Sequence, residues 1–528
     1  MALLVGLAFS ALYAATARGF FLYGDDVLMF QVTEAIVERG EVSVTSPARK
    51  GRARDAALAP SASARAHHVA RSIRSRDGGR FAKYGIGQSL AAIPFYAASR
   101  PLFDRLELPE TRDPYGNLRT GAAIFGTGLA NAVIGGATVA ILFLLLVELG
   151  FSTFAAFVTS LALGLGTLWA HYSSTFLSEP LAGLCLVVAV FGLATYEKEA
   201  RTRGDSRGRP GWLAMSGFAC GLAVATKVAL AAIVWPFALW AWWLGWRNSR
   251  WRYAFVTTLY WSSSFSVWVG IVATYNWARF GSVFESGYGR EAGKFSTPLV
   301  EGFGGLLFSP VKGALWYCPV LLLSIAGALA FWRRNRSLSL AIGVASVSHL
   351  VLMAKYYQWY GGDCWGPRFL VPLLPLWLLP AAEVLSRWRR LRFAAKAAIA
   401  TVIAASLATT LAGVLVPFDS FGERVTSSRA EMGRAAWSFR ESPLAQHLAL
   451  VPSSAAMTAK KLLGREGIIT ESGEFPGLKV PDFAFVRYGS HALLNWTRGA
   501  LLLCALALAS AAAILARAQK ASVSRPPQ

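Results

Sequence analysis

Long apolar stretches separated by short polar segments run along most of this chain of 528 residues. Many of them approach the ~20 residues that an α-helix needs to cross a bilayer. Because hydrocarbon offers no partners for backbone amides, such stretches predict transmembrane helices, and hence an all-α polytopic membrane protein. About twelve spans are expected, near residues 3–22, 121–148, 153–172, 177–196, 212–227, 229–246, 253–274, 314–332, 338–354, 369–386, 394–416 and 493–516.

Two of these predictions leave alternatives open. The stretches on either side of Lys227 are short, and two helices or one bent hairpin fit them equally well. Ala15-Thr16-Ala17 resembles the cleavage site of a signal peptide, but no basic region precedes it and the apolar run continues to Leu22. A retained first helix is therefore favoured, with cleavage as the alternative.

The composition supports a membrane protein and indicates its orientation. Hydrophobic residues make up 55% of the chain, charged residues only 15%, and the net charge is +23. The basic runs at 198–209, 247–252, 333–336 and 387–392 fall in short loops on one side, which the positive-inside rule makes cytoplasmic together with both termini. The excess of positive charge indicates contact with anionic lipid; no nucleic-acid partner is expected.

Two longer polar segments are predicted to lie outside. The first, at 20–120, is expected to carry amphipathic helices and a flexible basic stretch at 49–80. The second, at 417–492, is predicted to be a small outer-face segment or cap, between a membrane module at 1–416 and a last helix with a cytoplasmic tail at 493–528. The chain shows no internal repeat of the kind found in many transporters.

Acidic residues at the outer ends of the predicted spans are candidates for catalysis. Asp25 and Asp26 follow the first apolar stretch, where a carboxylate is costly unless it faces water or a polar cavity. One of them could simply cap a helix that is amphipathic, lies on the outer membrane surface and stops at Gly40. Glu179, in the turn after the third span, could likewise be an acid of a helix start beside Pro180.

Basic residues at outer helix ends are candidates for binding a phosphate. Arg offers a planar fork and Lys a point charge, and both suit a lipid-linked phosphate. The alternative is that each is a snorkelling anchor at the membrane surface. The four candidates are Lys83, Arg279, Lys312 and Arg368.

Aromatic and polar residues near these cations are candidates for binding a sugar or an acceptor. The string from Tyr356 to Phe369 combines aromatic rings, an acid and Gly-Gly and Gly-Pro pairs that predict a tightly shaped loop. An interfacial aromatic belt is the alternative reading. The candidates are Tyr84, Gln88, Trp359, Tyr360, Asp363 and Trp365. The cysteines and histidines show no metal-ligand spacing, so neither a metal nor a cofactor is expected.

In their order along the chain, these residues resemble the GT-C superfamily of polytopic membrane glycosyltransferases, such as protein O-mannosyltransferases, lipid A aminoarabinose transferases and bacterial relatives. Asp25-Asp26 matches the family's acidic pair, often Asp-Glu, and Glu179 its second outer acid, often Asp. The other strings that carry the resemblance are Lys83-Tyr84-x-x-Gly87-Gln88, Ser178-Glu179-Pro180-Leu181, Tyr275-Asn276 with Arg279-Phe280-Gly281, Ser309-Pro310 with Gly313, and Trp359-x-Gly361-Gly362-x-x-Trp365-Gly366-Pro367-Arg368.

The resemblance implies a GT-C-like bundle and a hexosyl- or pentosyltransferase that uses a polyprenyl-phosphate-linked sugar. It implies inverting transfer to an envelope lipid, glycan or protein at the outer face of a bacterial inner membrane. Asp25 is then the expected general base, with Asp26 or Glu179 orienting the acceptor or tuning its pKa, and the four cations are expected to hold the leaving phosphate. The alternatives are a twelve-span transporter or exporter of an envelope precursor, and a non-catalytic scaffold of envelope assembly.

Overall fold

The chain folds into a bundle of α-helices. The computed structural model describes residues 1–21, 23–44, 72–74, 79–106, 108, 110–112, 118–202, 208–249, 251–289, 293–418, 437–464 and 481–523. The predicted flexible stretch at 49–80, and much of the predicted outer segment at 417–492, lie outside the described residues.

Helices account for most of the described chain, with short strands only in the first loop. The α-helices are α1 Ala2–Ala15, α2 Gly24–Arg39, α3 Gly87–Phe103, α4 Gly121–Glu148, α5 Thr153–Gly166, α6 Trp169–Ser173, α7 Glu179–Thr202, α8 Pro210–Thr226, α9 Ala231–Ser249, α10 Trp251–Phe280, α11 Leu299–Phe308, α12 Ala314–Tyr317, α13 Leu321–Arg334, α14 Arg336–Lys355, α15 Leu374–Trp377, α16 Ala381–Ser386, α17 Phe393–Leu415, α18 Pro443–Leu462, α19 Ala484–Arg487 and α20 His491–Val523. Short 3-10 segments occupy Asp104–Leu106, Val228–Leu230, Arg368–Leu373 and Trp388–Arg390. Strand β1 Ser72–Arg74 pairs antiparallel with β2 Arg80–Ala82, and β3 Thr111–Arg112 with β4 Leu118–Arg119.

The predicted fold class, an all-α polytopic membrane protein, is confirmed. Within the described ranges, eight helical segments are long and apolar enough to cross a membrane, and each coincides with a predicted span. The four remaining predictions, near 3–22, 153–172, 212–227 and 314–332, fall on shorter or interrupted helices. The total of twelve spans therefore stays a prediction.

The segment around Lys227 forms two helices, which resolves one of the open alternatives. Helix α8 ends at Thr226, and α9 begins at Ala231 after a 3-10 turn. Lys227 itself has an extended backbone with φ −153° and ψ 108°.

The bundle is closed by the first helix and exposes apolar side chains on its outermost helices. Helix α1 packs against α4 and α20, and Tyr13 donates from its hydroxyl to the carbonyl of Gly164 at 3.0 Å. In α10, only 17% of the 18-residue apolar stretch is buried inside the protein, and the same share holds for α20. Residues such as Phe255 and Leu506 are exposed there, as expected of helices that face lipid.

The helix predicted after the acidic pair is present but lies in a different environment. Helix α2 ends, as expected, at Gly40, whose φ is +66°. Its first three turns are covered by other parts of the protein, with only Asp25 and Glu34 partly exposed, and its position at the membrane surface stays a prediction. Phe30 packs against Phe21 and Tyr96, with ring centroids 4.8 and 5.7 Å apart, and Leu28 belongs to a separate buried cluster. The long loop after the first helix thus folds over this helix and fixes its first turn.

Several of the predicted basic loops meet at one end of the bundle. Glu197, near the end of α7, accepts hydrogen bonds from Arg201, from Arg247 at 3.2 Å and from Ser337. Arg334 donates to the carbonyl of Gly150 at 2.7 Å. The acids predicted for catalysis lie at the other end of α7, which begins with one of them, Glu179.

Candidate active site

Asp25 lies in the first turn of α2 and has partners on both carboxylate oxygens. The hydroxyl of Tyr84 donates to Oδ1 at 2.5 Å, and the guanidinium of Arg368 donates to Oδ2 at 3.0 Å. The side chain of Asp25 keeps 13% of its surface exposed. These contacts hold an accessible carboxylate in one orientation.

Glu179 is joined to the same cluster by Arg368. Its Oε1 lies 3.8 Å from Nε of Arg368 and accepts a 2.6 Å hydrogen bond from Nζ of Lys227. The side chain of Glu179 is only 1% exposed, so its charge is shielded by cations in place of water. Three residues that lie far apart in the sequence, Asp25, Glu179 and Arg368, therefore form one ion network.

Asp26 differs from its neighbour in both burial and charge. Its side chain is buried, and within the described chain its Oδ1 has no hydrogen-bond partner. Burial raises its pKa well above the ordinary value, and the nearby carboxylates of Asp25 and Glu179 raise it further. The carboxyl of Asp26 therefore keeps its proton to higher pH than an ordinary Asp does, whereas Asp25 lies beside a guanidinium.

Lys227 belongs to this network, although the sequence analysis did not include it among the site residues. The signal that could have found it is a single charge inside an otherwise apolar stretch. Its position depends on two glycines of the neighbouring loop. A Cβ on Gly85 would lie 2.3 Å from the carbonyl oxygen of Ala225, and one on Gly87 would lie 2.2 Å from Oγ1 of Thr226. Glycine thus lets the loop that carries Tyr84 lie directly on the end of α8.

Gln88 does not face an open cavity. It is fully buried and donates through Nε2 to Oδ1 of Asn131 at 3.0 Å. Asn131 in turn donates to the carbonyls of Thr175 and Leu177 at 2.8 and 2.6 Å. These bonds fix the segment that leads into Glu179. The expected contact of Gln88 with a sugar is thus replaced by a positioning contact inside the protein.

Lys83 and Arg279 lie together beside Tyr84. Arg279 donates to the carbonyl of Ala82 at 2.6 Å and is buried against the ring of Tyr275. The ammonium of Lys83, the next residue, lies 5.9 Å from the ring centroid of Tyr84. Two of the four predicted cations therefore lie along the segment that carries Tyr84, one in it and one bonded to its backbone.

Lys312 occupies a different environment from the one predicted. Its ammonium is buried and donates to the carbonyls of Gly362 and Cys364 at 3.0 and 2.5 Å. Burial lowers its pKa from the ordinary value. With its donors directed at backbone oxygens, Lys312 shapes the loop before Arg368 and does not present a free cation to a phosphate.

The aromatic loop is tightly shaped, as expected, but most of its rings are part of the core. Trp359 is 2% exposed and packs on Gly305, where a Cβ would lie 2.2 Å from the ring. Trp365 is 1% exposed and stacks on His447 with centroids 4.5 Å apart. Neither ring is open to a sugar. Tyr360 is also buried, and the exposed member of the predicted set in this loop is Asp363.

The loop turns on three glycines in the left-handed region. Gly361, Gly362 and Gly366 have φ of +79°, +75° and +63°. Because side chains strongly disfavour such φ values, glycine at these positions permits the sharp path that delivers Arg368 to the acids. In the described part of the chain, no group of three or more His, Cys, Asp or Glu side chains is arranged to hold a metal ion, and metal independence stays a prediction.

Comparison with solved structures finds helical membrane proteins of low sequence identity. ArnT from Cupriavidus metallidurans bound to undecaprenyl phosphate aligns at 12% identity with a TM-score of 0.49, covering 94% of this chain and 87% of that one. The same protein in the apo state aligns at 14% identity and a TM-score of 0.49, covering 88% and 80%. The archaeal oligosaccharyltransferase AglB from Archaeoglobus fulgidus, in complex with an inhibitory peptide and a dolichol-phosphate, aligns at 10% identity and 0.43, covering 78% and 55%.

A comparison with protein families gives a match over part of the chain, whereas a comparison with curated proteins gives none. Residues 95–281 match the family described as dolichyl-phosphate-mannose-protein mannosyltransferase. This range includes Glu179, Lys227 and Arg279 but neither Asp25 nor Arg368. The match confirms the resemblance predicted from the sequence, and this integral membrane protein is similar to the glycosyltransferases of the GT-C superfamily.

Proposed function

We propose that the protein transfers a sugar from a polyprenyl-phosphate donor to a hydroxyl of an envelope lipid, glycan or protein, with inversion at the anomeric carbon. The observation that carries the proposal is the ion network in which Arg368 joins Asp25 to Glu179 at one end of the helical bundle. The matched family, whose description names a dolichyl-phosphate-linked mannose, supports a donor of this class.

Asp25 is the general base of this proposal. The acceptor oxygen forms a bond to the anomeric carbon while the bond from that carbon to the phosphate oxygen breaks, and the acceptor proton passes to the Asp25 carboxylate. Asp26 is less suited to this task, because its side chain is buried and its raised pKa favours the protonated carboxyl. The contacts of Asp25 with Tyr84 and Arg368 favour the charged carboxylate and fix its direction.

Lys83 is proposed to hold the phosphate, because its ammonium lies 5.9 Å from the ring centroid of Tyr84, the neighbour of the proposed base. Negative charge collects on the phosphate oxygens as the sugar departs, and a preorganised cation stabilises that charge in a site of low polarity. Arg279 is proposed to position Lys83, because it is buried and donates to the carbonyl of the preceding residue, Ala82, at 2.6 Å. Arg368 is proposed to position the acids, since its guanidinium is engaged by Asp25 and Glu179.

The reaction is proposed to occur at the outer face of a bacterial inner membrane, with both termini in the cytoplasm. Arg201 and Arg247 meet at Glu197, and Arg334 contacts Gly150, at the end of the bundle opposite Asp25. The positive-inside rule makes that end cytoplasmic. Sugar transfer on the outer side keeps the sugar and acceptor in water while the prenyl chain stays in lipid. Asp363, exposed on the loop before Arg368, is the proposed contact to sugar or acceptor.

The test is transfer by the purified protein in liposomes that contain a polyprenyl-phosphate sugar and extracted envelope acceptors. Release of free polyprenyl phosphate and the anomeric configuration of the product are the readouts. We expect Asp25→Asn to lower the rate by about 10²–10⁴-fold, as general-base catalysis contributes about that much.

Asp104→Asn is the matched control, because Asp104 is an exposed acid in the predicted outer loop and lies outside the network. It should leave the rate unchanged. Wild-type transfer by a folded Asp25→Asn protein would remove Asp25 as the base. Uptake of the intact donor without release of polyprenyl phosphate would indicate a transporter.

A further inference from the structure

A second charged cleft lies at the end of the bundle opposite the acids. It has a volume of about 560 Å³ and is lined by the last turns of α13 and by α16. Three arginines, Arg333, Arg334 and Arg387, stand around it together with one acid, Glu383. Nothing in the proposed glycosyl transfer uses these residues.

The position of the cleft follows from contacts of its own residues. Arg334 donates to the carbonyls of Leu149 and Gly150 at 3.1 and 2.7 Å, at the end of α4. The same end of the bundle carries Glu197, which is 18 residues along α7 from Glu179. At 1.5 Å per residue the two ends of this helix are about 27 Å apart, so the cleft is separate from the candidate active site.

The charges of the cleft do not balance. The carboxylate of Glu383 lies 3.7 Å from Arg334 and 3.6 Å from Arg387, and its side chain is only 6% exposed. Arg333 is exposed and makes no contact with an acid in the described part of the chain. Three guanidinium groups around one carboxylate leave an excess of positive charge directed at the cleft, which favours an anion.

One wall of the cleft is apolar and continues along the outside of α13. Leu329, which lines the cleft, is 61% exposed. Leu322, Ile325 and Trp332 are 45%, 61% and 42% exposed, and their spacing of three to four residues places them on the same face. A soluble anion would gain nothing from this apolar face, whereas an acyl chain would cover it.

The close packing below the cleft explains why it opens where it does. A Cβ on Gly327 would lie 2.0 Å from the carbonyl oxygen of Pro380, so α13 and the segment leading into α16 touch at this glycine. Beyond it the two elements carry arginines that repel one another and that only Glu383 bridges. Along α13 the exposed apolar residues end at Trp332 and the arginines begin at the next position, Arg333.

We infer that this cleft binds an anionic phospholipid. The phosphate lies between Arg333 and Arg387, which offer bidentate hydrogen bonds, and the acyl chains lie along the face of Leu322, Ile325 and Leu329. Basic pockets between helices at the cytoplasmic surface are suited to such headgroups. The lipid ties the end of α13 to α16 by bridging charges that otherwise repel.

The test is native mass spectrometry and thermal unfolding of the full-length protein in a neutral detergent. Phosphatidylglycerol is added at increasing concentration, with phosphatidylcholine and inorganic phosphate as comparisons. We expect phosphatidylglycerol to bind and to raise the unfolding temperature, and neither comparison to match it. The variant Arg333→Gln/Arg387→Gln should weaken its binding by about 30-fold, since each arginine near a lipid headgroup contributes about fivefold.

Arg252→Gln is the matched control, because Arg252 is an exposed arginine in one of the predicted cytoplasmic loops and does not line the cleft. It should bind phosphatidylglycerol as the wild type does. Equal binding by the double variant, equal binding of phosphatidylcholine, or equal stabilisation by inorganic phosphate would each overturn the inference. The outcome is independent of glycosyl transfer, because it is read as lipid binding alone.

Discussion

Glu179 shares its carboxylate between Lys227, whose Nζ lies 2.6 Å from Oε1, and Arg368, whose Nε lies 3.8 Å from the same atom. Because Arg368 also contacts Asp25, a lysine at a helix break is connected through two ion pairs to the proposed base. Removal of any member takes an opposite charge away from a buried or partly buried group, so the residues of this network depend on one another.

Replacement of Lys227 by Met should destabilise the protein strongly. The change leaves the buried carboxylate of Glu179 with only the more distant Arg368, and breaking a buried ion pair typically costs about 3–5 kcal/mol. The free energy of unfolding in detergent measures the effect. Adding Glu179→Gln to Lys227→Met should recover part of the loss, because the uncompensated charge is then gone.

The pair of Lys198 with Glu148 provides the control for Lys227. Lys198 is 52% exposed, and solvent-exposed pairs contribute at most about 1 kcal/mol. Lys198→Met should therefore have a small effect. If both lysine variants lowered the free energy of unfolding equally, the special contribution of the buried pair would be refuted.

Asp26 should make stability fall as the pH rises. Its pKa is raised in the folded protein, so above the ordinary pKa of 3.8 the folded state keeps a proton that the unfolded state releases. Up to the raised pKa, each pH unit then costs about 1.4 kcal/mol. Asp26→Asn carries no such proton. The difference in the free energy of unfolding between the variant and the wild type should grow in favour of the variant as the pH rises above 3.8; a constant difference would contradict the raised pKa.

Tyr84→Phe should slow glycosyl transfer without unfolding the protein. The variant loses the hydroxyl that donates to Asp25 at 2.5 Å. A hydrogen bond to a charged group contributes about 1.5–3 kcal/mol, which corresponds to roughly 10- to 150-fold in rate. Tyr96→Phe removes a similar bond, from Tyr96 to Glu38, outside the network, and should leave the rate near that of the wild type. Equal losses in the two variants would speak against a special role for Tyr84.

Trp365→Ala should act on stability and leave donor affinity unchanged. The ring is 1% exposed and packs between His447 and Tyr317, and truncating a buried Trp costs about 3–5 kcal/mol. Trp251→Ala, at a tryptophan that is 66% exposed, is the comparison and should cost much less. A stable Trp365→Ala protein with weakened donor binding would restore the sugar-binding role that the sequence suggested.

The membrane fold was readable from the sequence because hydropathy is a local property. Every predicted span coincides with a helix, and the differences occur where apolar runs are interrupted, as between Tyr317 and Leu321. The environment of α2 was not readable. Its pattern of Leu28, Val32 and Ile36 describes one apolar face, whereas the residues that cover its other faces come from distant parts of the chain.

The candidate site was partly predictable for a similar reason. Charged residues at the ends of spans are costly and stand out, which identified Asp25, Glu179 and Arg368 singly. Arg368 pairs with acids 343 and 189 residues away from it, and no local pattern encodes such pairs. The predicted sugar contacts of Trp359 and Trp365 were not reliable, because the sequence around a tryptophan is the same whether its ring faces a ligand or the core.

Helix α7 sets a fixed length between the two charged ends of the molecule. Glu179 and Glu197, each held by several partners, stand about 27 Å apart along a continuous helix, close to the ~30 Å of hydrocarbon in an ordinary bilayer. In a thicker membrane one of the two ionised clusters would lie inside the hydrocarbon core, and in a thinner membrane apolar surface of the protein would be exposed to water. The length of α7 therefore sets the bilayer thickness that suits the protein, and its activity should depend on the acyl-chain length of the surrounding lipids.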